Sequence, residues 1–450
     1  MSKDIKIKKG LDIKLVGEAE KVISDAPKSR TYTIKPSDFH LITPKMMIKE
    51  GAKIQAGEPI FYSKSDDSIK FVSPVSGTLT EIRRGAKRVI THLIIEADGL
   101  DSYVDYGKLD VATADAAAVK TRILESGLWS FIKQRPYDVL AKTDVVPEHI
   151  FISGYSSAPL APDLNFTLKG KEKELQAALT ALSKLTEGAV HVSVEHGADS
   201  PFNGMKDVTL HTVSGPHPAG NVGTQINKIA PINKGETYWT IAAENLVLIG
   251  ELFLTGKYNA ERIISVSGSC IKSPKYYRTK IGAEVSTFVY DAGLNNDHVR
   301  MISGNVLTGD QVDPEGALGY YHNEFIVIPE GDDYEFFGWN KPVFNKISPT
   351  RSLTFSWLFP NKKYDLDTNT NGEHRAFVVT GSYEEVFPLD IFPLQLLKSC
   401  MVEDLDAMEQ MGMYEVAPED FALTEFICIS KQPHQAIIRR GLDLMHKEIG

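Results

Sequence analysis

The middle of the chain alternates between helical and strand-like patterns, and this alternation constrains the fold more than any other feature. Apolar spacing predicts helices over residues 114–125 and 171–184, and strands over 150–154 and 189–194. Such a succession favours a parallel, right-handed α/β unit, which binds ligands at the carboxyl ends of its strands. We therefore predict a Rossmann-like α/β domain over residues 111–257.

The preceding region contains short β-favouring runs separated by glycines. The predicted strands are 31–34, 59–62, 70–72, 78–82 and 88–96. Glycine turns at Gly51 and Gly57 lead to Ser73-Pro74-Val75-Ser76-Gly77, and this order resembles the flattened barrel of biotinyl and lipoyl carrier domains. Carriers present a modifiable lysine where this chain has Asp66-Asp67, so the likeness is one of architecture and not of function. We predict a biotinyl/lipoyl-like β-barrel over residues 1–110.

Strands return after the α/β domain, and helices dominate the last part of the chain. Strands are predicted at 263–266, 283–289 and 324–328. They indicate a β-grasp domain over residues 258–335, followed by a connecting β and loop region over 336–386. A C-terminal helical bundle is predicted over residues 387–450. The fold class is thus a multidomain mixture of α+β and α/β.

Helix starts at prolines mark the predicted bundle. Pro418 and Pro433 each precede a helical pattern. The second pattern carries an apolar stripe, which we expect to be buried in the bundle. Its members are Ile438, Leu442, Met445 and Ile449.

Composition excludes several classes of protein. A net charge of -10 argues against binding to the phosphate backbone of nucleic acid. No run approaches the ~18 apolar residues of a membrane helix, because Glu244, Asn245 and Glu251 interrupt the longest candidate, 241–254. Residues 1–14 have no apolar core of a signal peptide. We therefore expect a cytoplasmic protein without a membrane span.

The cysteines and histidines do not predict a metal site. The three cysteines lie far apart, whereas an iron–sulfur cluster normally takes four thiolates. His191 and His196 are close in sequence, but residues five apart on a strand face opposite sides. We expect no metal bound by this chain.

Several longer strings carry a family resemblance. They are Gly10-Leu11-Asp12 with Gly17-Glu18, residues 81–88, Glu125-Ser126-Gly127-Leu128-Trp129, residues 214–220 with Gly223-Thr224, residues 276–283 and residues 387–394. Together they span essentially the whole chain and resemble the A subunit of the Na+-translocating NADH:quinone oxidoreductase. That family is similar in fold to the flavin-binding subunit of respiratory complex I and to the C subunit of the Rnf complex.

Those relatives bind FMN, NADH and an iron–sulfur cluster, and this chain departs from them at two places. Where they carry a glycine-rich flavin loop, this chain has bulky Trp129 and Phe131, which would fill the flavin space. Where they carry three clustered cysteines, it keeps only Cys428, a vestigial cluster position. We therefore expect no cofactor on this chain, with FMN, FAD and iron–sulfur held by partner subunits.

The resemblance implies a peripheral subunit of a membrane complex that oxidises NADH, reduces ubiquinone and pumps Na+ out of the cytoplasm. It implies docking on the other subunits, chiefly the integral membrane B subunit, at the cytoplasmic face of the bacterial inner membrane. The isolated chain is not expected to be catalytic. The alternative is a purely structural scaffold of that complex, with a closed ancestral flavin cavity.

A quinone site needs an apolar, aromatic wall and a few donors for the carbonyls. One short segment offers both, and loops of the same α/β domain add two weaker candidates. The predicted quinone residues are Trp129, Phe131, Arg135 and Tyr137, followed by Tyr155 and His217. Buried aromatic residues are usually core, so Trp129 and Phe131 could equally plug the ancestral flavin cavity.

Overall fold

The computed structural model describes residues 2–332, 335–348 and 353–450 of the chain. In these ranges the chain forms four β-sheets and a group of helices, so it is a mixed α and β protein, as predicted. No helix of the described ranges is long and apolar enough to cross a membrane.

The strand-rich first region contains two small antiparallel sheets that share one core. Its strands are β1 (Asp4–Lys6), β2 (Glu20–Asp25), β3 (Thr31–Ile34), β4 (Pro44–Met46), β5 (Lys53–Ile54), β6 (Pro59–Ser63), β7 (Asp66–Val72), β8 (Gly77–Arg84) and β9 (Ile90–Ala97). One sheet has the order β3-β9-β8-β5 and the other β4-β6-β7. Phe61, Phe71 and Leu79 are fully buried between them. All five strands predicted for this region occur.

The α/β region is built on a seven-stranded sheet. Its further strands are β10 (Lys133–Arg135), β11 (Val139–Leu140), β12 (His149–Ser153), β13 (Val190–Glu195), β14 (Thr209–Ser214) and β15 (Tyr238–Thr240). Its helices are α1 (Ala116–Glu125), α2 (Leu164–Thr167), α3 (Glu172–Ser183), α4 (Val222–Ile229) and α5 (Ala243–Thr255). The order is β1-β14-β13-β12-β15-β10-β11, parallel from β1 to β15 and antiparallel beyond. Strands β13 and β14 lie on one side of β12 and β15 lies on the other, so the strand order reverses at β12. Sheets of this kind bind ligands at the point where the strand order reverses.

Helices α3 and α5 approach each other closely at a glycine. Leu175, Leu179 and Leu182 of α3 are fully buried and form one apolar face. Opposite them, a Cβ on Gly250 of α5 would overlap the backbone carbonyl of Glu174. The absence of a side chain at Gly250 thus sets the distance between the two helices.

A six-stranded sheet follows, and one predicted strand within it is wrong. The added elements are β16 (Glu261–Ser267), β17 (Lys275–Lys280), α6 (Val285–Ala292), β18 (Val299–Ser303), β19 (Asp310–Gln311) and β20 (Glu324–Pro329). The predicted strand 283–289 is instead helix α6. Its buried residues Val285, Phe288 and Ala292 have helical spacing, which outweighs the β propensity of the valines.

Helices form the last part of the chain, as predicted. They are α7 (Ser382–Val386), α8 (Pro393–Met401), α9 (Leu405–Gln410), α10 (Ala422–Phe426) and α11 (His434–Ile449). Of the predicted apolar stripe on α11, Ile438, Leu442 and Met445 are fully buried, whereas Ile449 is 47% exposed at the helix end. This C-terminal bundle also packs on Phe151 of the α/β sheet.

Strands β1 and β2 precede the barrel in sequence, but they are edge strands of the seven-stranded and six-stranded sheets. β1 pairs in parallel with β14, with Ile5 opposite Val213. β2 pairs in parallel with β17, with Ile23 opposite Tyr276. The residues before the barrel therefore connect the sheets of the two regions that follow it.

Candidate functional site

The segment between α1 and β10 carries Trp129 and Phe131. It begins at Gly127, whose φ of 74° is left-handed, and a Cβ there would lie 2.7 Å from a methyl carbon of Val72 in the barrel. Glycine therefore allows the tight turn against β7. The Nε1 of fully buried Trp129 donates a hydrogen bond to the carbonyl of Ala141 at 2.8 Å, so this ring is part of the core.

Phe131 belongs to an aromatic cluster, formed by Phe39, Phe131, Tyr320 and Tyr321. The Phe131 ring stacks on Tyr320, with 5.1 Å between centroids, and meets the edge of Tyr321 at 6.2 Å. The Tyr320 hydroxyl lies 2.8 Å from Oγ of Ser130, and the Tyr321 hydroxyl donates to the Ser130 carbonyl at 2.7 Å. The aromatic cluster thus joins the barrel, the α/β region and the loop before β20.

Arg135 is buried against the C-terminal bundle and is only 1% exposed. Its guanidinium donates to the carboxylates of Asp420 and Glu419, each at 2.9 Å, and to the carbonyl of Glu415 at 3.3 Å. Asp420 also lies against α4, because a Cβ on Gly223 would overlap its carboxylate. The ion pair therefore clamps the bundle onto the α/β sheet. Donation from Arg135 to a quinone carbonyl stays a prediction.

Tyr137 also contacts the bundle. Its ring meets the edge of His446, with 5.1 Å between centroids, and its carbonyl accepts a hydrogen bond from Arg439 at 2.6 Å. Its φ of 80° is left-handed, which is costly for a residue with a large side chain. The contacts to α11 offset the cost of this turn.

Tyr155 and His217 lie together in a different place, on the loops that follow β12 and β14. Tyr155 packs on Val213 and Ala219. Nδ1 of His217 is 3.0 Å from Oγ of Ser157. The structure therefore divides the six predicted residues into three places, namely the core beside the aromatic cluster, the bundle interface and these loops.

A cavity of about 160 Å³ opens beside the aromatic cluster, and we call it the hairpin cavity. It is bounded by the barrel, the β10–β11 hairpin, the loop before β20 and the bundle. Its lining residues are Asp38, His40, Lys133, Asp138, Val139, Leu140, Tyr321, Pro418 and Arg439. None of the six predicted quinone residues lines this cavity, although Arg135 and Tyr137 belong to the same hairpin. Lys133 was not predicted, and His40, Tyr321 and Arg439 come from distant parts of the chain.

The hairpin cavity combines an aromatic wall with cationic groups. Nζ of Lys133 lies 4.9 Å from the centre of the Tyr321 ring. Burial raises the pKa of Tyr321 well above its usual value, so it is a neutral phenol. Burial disfavours the charged form of Asp138, but nearby Lys133, Arg135 and Arg439 outweigh it and lower the pKa of this carboxyl. The cavity therefore offers a ring surface beside positive donors.

A larger cavity, of about 360 Å³, lies elsewhere, and like the hairpin cavity it is lined by residues of both charges. Lys14 and Lys362 line it together with Asp12 and Glu385, and Trp357 forms part of its wall. None of the six predicted quinone residues lines this cavity. None of them lines the hairpin cavity either, but that cavity is adjacent to the predicted segment because its lining residue Lys133 lies between Phe131 and Arg135 in the sequence.

The cysteines and the two histidines considered for metal binding are separated. Within the described ranges, no group of three or more His, Cys, Asp and Glu side chains is arranged to hold a metal ion. Buried Cys428 contacts the Tyr383 hydroxyl at 3.0 Å. His191 pairs with His211 at 2.9 Å, whereas His196 contacts Asp4 at 3.1 Å.

Three family models match successive parts of this chain. Residues 5–98 match the family model of the NqrA N-terminal barrel-sandwich hybrid domain, residues 114–258 the NqrA second alpha/beta domain, and residues 263–313 the NQRA C-terminal domain. The A subunit of the Na(+)-translocating NADH-quinone reductase from Saccharophagus degradans is 36% identical over 99% of this chain and 100% of its own length. The chain belongs to this A-subunit family.

Other proteins of the A-subunit family match over the same extent. Those of Neisseria meningitidis serogroup A and Shewanella frigidimarina are 36% and 35% identical, each over 99% of this chain and 100% of the relative. The predicted family resemblance is therefore confirmed. The barrel architecture predicted for the first region also agrees with the family model of that region.

The loop that holds His217 should make the stability of this chain depend on pH. Oγ of Ser157 accepts a hydrogen bond from the Gly220 amide at 2.8 Å and lies 3.0 Å from Nδ1 of His217, so the ring is fixed in this loop. Burial lowers the pKa of His217 to about 4. The unfolded chain, with a His pKa of about 6.5, therefore binds more protons, and stability is lost as pH falls from about 6.5 towards 4.

We expect His217 to contribute about 2 kcal/mol to the loss of unfolding free energy between pH 7 and pH 5. His217→Gln should reduce that loss by about this amount in urea titrations at both pH values. Ser157→Ala, which removes the hydrogen-bond partner and keeps the titrating ring, should retain the full pH dependence. An unchanged pH dependence in His217→Gln would contradict the assignment.

Proposed function

We propose that the chain is the quinone-associated peripheral subunit of a membrane complex that oxidises NADH, reduces ubiquinone and exports Na+. It docks at the cytoplasmic face of the inner membrane, chiefly on the integral B subunit. Electrons arrive from FMN, FAD and iron–sulfur groups of partner subunits, and the isolated chain is not catalytic. Family membership supports this role, because the relatives carry the name of an NADH-quinone reductase subunit.

The hairpin cavity is the observation that carries the quinone assignment. It places the Tyr321 ring, Lys133 and His40 around one space beside the predicted segment. An aromatic ring of a quinone can pack on Tyr321, while a cationic donor satisfies a carbonyl oxygen. Lys133 is the donor of choice, because Arg439 already donates to the Asp443 carboxylate and to the Tyr137 carbonyl.

Lys133→Met should weaken binding of a short-chain ubiquinone by roughly 10- to 100-fold, because a charge-assisted hydrogen bond contributes about 1.5–3 kcal/mol. Methionine keeps most of the length and apolar contact of the side chain. Binding can be measured by calorimetric titration of the full chain, with an azido-quinone to identify the labelled peptide.

Lys14→Met is the matched control, because Lys14 lines the larger cavity and not the hairpin cavity. It should leave quinone affinity unchanged. Arg135→Ala is a poorer probe, because it leaves two carboxylates without their buried partner. Loss of affinity in Lys14→Met with normal affinity in Lys133→Met would move the quinone to the larger cavity.

The structural scaffold is the second candidate, and the burial of Trp129 and Phe131 favours it. Both rings are packed into the core, so they occupy space that a flavin-binding relative would leave open. A scaffold would show no saturable binding of quinone and no protection from azido-quinone labelling by excess quinone. Protected labelling of the β10–β11 hairpin would favour the quinone-binding role.

A further inference from the structure

Residues 335–348 and 353–363 form an exposed structure that we call the aromatic ribbon. Its two arms are joined by backbone hydrogen bonds, from the Val343 amide to the Leu353 carbonyl at 2.8 Å and from the Phe355 amide to the Val343 carbonyl at 3.0 Å. Phe344 stacks on Phe355 across the arms, with 5.2 Å between centroids. The ribbon therefore has a defined local structure.

The base of the ribbon is fixed to the residues that precede the barrel. Nζ of Lys14 donates to the Pro360 carbonyl at 3.0 Å, and Lys363 forms an ion pair with Glu18 at 2.6 Å. The Tyr364 amide, just beyond the ribbon, donates to the carbonyl of Lys14 at 2.8 Å. The aromatic ribbon is thus held at one end, and its arms extend over the surface.

The arms present large apolar side chains to solvent. Phe336 is 90% exposed, and four of the five exposed phenylalanines of the described ranges lie here, together with the exposed Trp357. These phenylalanines are Phe336, Phe337, Phe344 and Phe359. Such a concentration of aromatic surface marks an interaction site, because scattered single apolar residues are the usual surface pattern.

The charge of the ribbon is opposite to that of the chain. The ribbon contains four lysines and one glutamate, whereas the whole chain has a net charge of -10. Lys341 forms an ion pair with Glu335, and Lys363 forms one with Glu18. Lys346 donates to the side-chain oxygen of Asn371, and Lys362 donates to the carbonyl of Phe344. Both acceptors are uncharged oxygen atoms, so neither hydrogen bond neutralises the positive charge of the ribbon.

We propose that the aromatic ribbon binds the anionic headgroup layer of a lipid bilayer. Tryptophan and phenylalanine rings partition into the interface between headgroups and acyl chains, and nearby lysines are attracted to anionic lipid phosphates. Local positive charge in an acidic protein fits an anionic lipid surface, while the remaining surface is repelled from it. The contact orients the chain at the membrane and adds to its docking on other subunits.

The test uses the full chain with protein-free vesicles. Vesicles of phosphatidylglycerol and phosphatidylethanolamine should sediment the protein, and vesicles of phosphatidylcholine alone should not. High salt should release it, because salt screens the lysine–phosphate attraction. Trp129 and Trp239 are buried, so a blue shift of tryptophan emission on adding vesicles would report the ribbon, which contains the other two tryptophans.

Phe336→Ser combined with Phe359→Ser should reduce partitioning by at least about tenfold, because partitioning scales with inserted apolar area. Lys346→Glu with Lys362→Glu should abolish the preference for anionic lipid. Phe392→Ser, which removes a phenylalanine that is 65% exposed outside the ribbon, is the matched control and should bind as the unaltered chain does.

Two results would overturn the proposal. One is failure of the folded chain to bind anionic vesicles above the background without lipid, since a surface made for a protein partner would need that partner. The other is equal partitioning of the double phenylalanine variant and the unaltered chain. Neither result bears on quinone binding, which is measured without vesicles.

Discussion

Asp420→Ala should lower the free energy of unfolding by about 3–5 kcal/mol, because it removes the buried carboxylate opposite the Arg135 guanidinium and leaves only the partly exposed Glu419 to compensate its charge. Arg135 is 1% exposed and cannot reach water to replace the lost carboxylate. Nearby carboxylates raise the pKa of Arg135 further although burial opposes them, so deprotonation offers no relief. Thermal and urea unfolding would measure the loss, and limited proteolysis would show whether the C-terminal bundle detaches first.

Two further variants separate the buried pair from its exposed neighbour. The side chain of Glu419 is 42% exposed, so Glu419→Gln should cost at most about 1 kcal/mol. Combining Arg135→Met with Asp420→Leu replaces the ion pair by apolar groups and should restore most of the lost stability. If Asp420→Ala unfolds at the same midpoint as the unaltered chain, the clamp contributes nothing to docking of the bundle.

Gly250→Ala should destabilise the chain by about 3 kcal/mol or more, because the added methyl group would overlap the backbone of α3 at Glu174. A backbone carbonyl cannot rotate away as a side chain can, so the two helices must move apart. Alanine favours a helix over glycine by about 1 kcal/mol, and the expected loss remains after this gain. The midpoint of thermal unfolding is the measurement.

Gly441→Ala in α11 is the matched control. Its Cβ would meet Sγ of Cys400 at 2.6 Å and Cε of Met413 at 2.9 Å. Both are ends of side chains that can shift, so the clash and the gain in helix propensity should offset each other to within about 1 kcal/mol. Equal destabilisation by Gly250→Ala and Gly441→Ala would show that backbone contact at Gly250 is not the cause.

Local sequence patterns predicted most elements of the fold. The apolar spacing at residues 171–184 and the β-favouring run at 189–194 correspond to α3 and β13, because each period matches one kind of element. The predicted strand at 283–289 was wrong, because the valines and the threonine of this run have a high β propensity. In the structure, one face of α6 is buried, and its residues recur at helical spacing. The contacts that bury this face come from the tertiary fold and are not visible in the local sequence pattern.

The candidate site was predictable only in part. The segment around Trp129 was predicted, but of its residues only Lys133, which was not a predicted quinone residue, lines the hairpin cavity. Its neighbours Tyr321 and Arg439 are remote in sequence, so no local spacing could associate them with Lys133. Likewise, Arg135 looked like a free donor because its partner Asp420 lies 285 residues away. Pairings of this kind depend on the tertiary fold.

The pairing of β1 with β14 has a consequence for synthesis of the chain. Ile5 of β1 lies opposite Val213 of β14. Because a ribosome adds about 5–20 residues per second, β14 is synthesised roughly 10–40 s after β1. The delay is longer for β2, because Ile23 pairs with Tyr276, which is synthesised later than Val213. During translation these two strands are unpaired edges, which are open to proteases and to pairing with other nascent chains. Nascent chains stalled before β14 should therefore be degraded from this end, even when the barrel behind it has already folded.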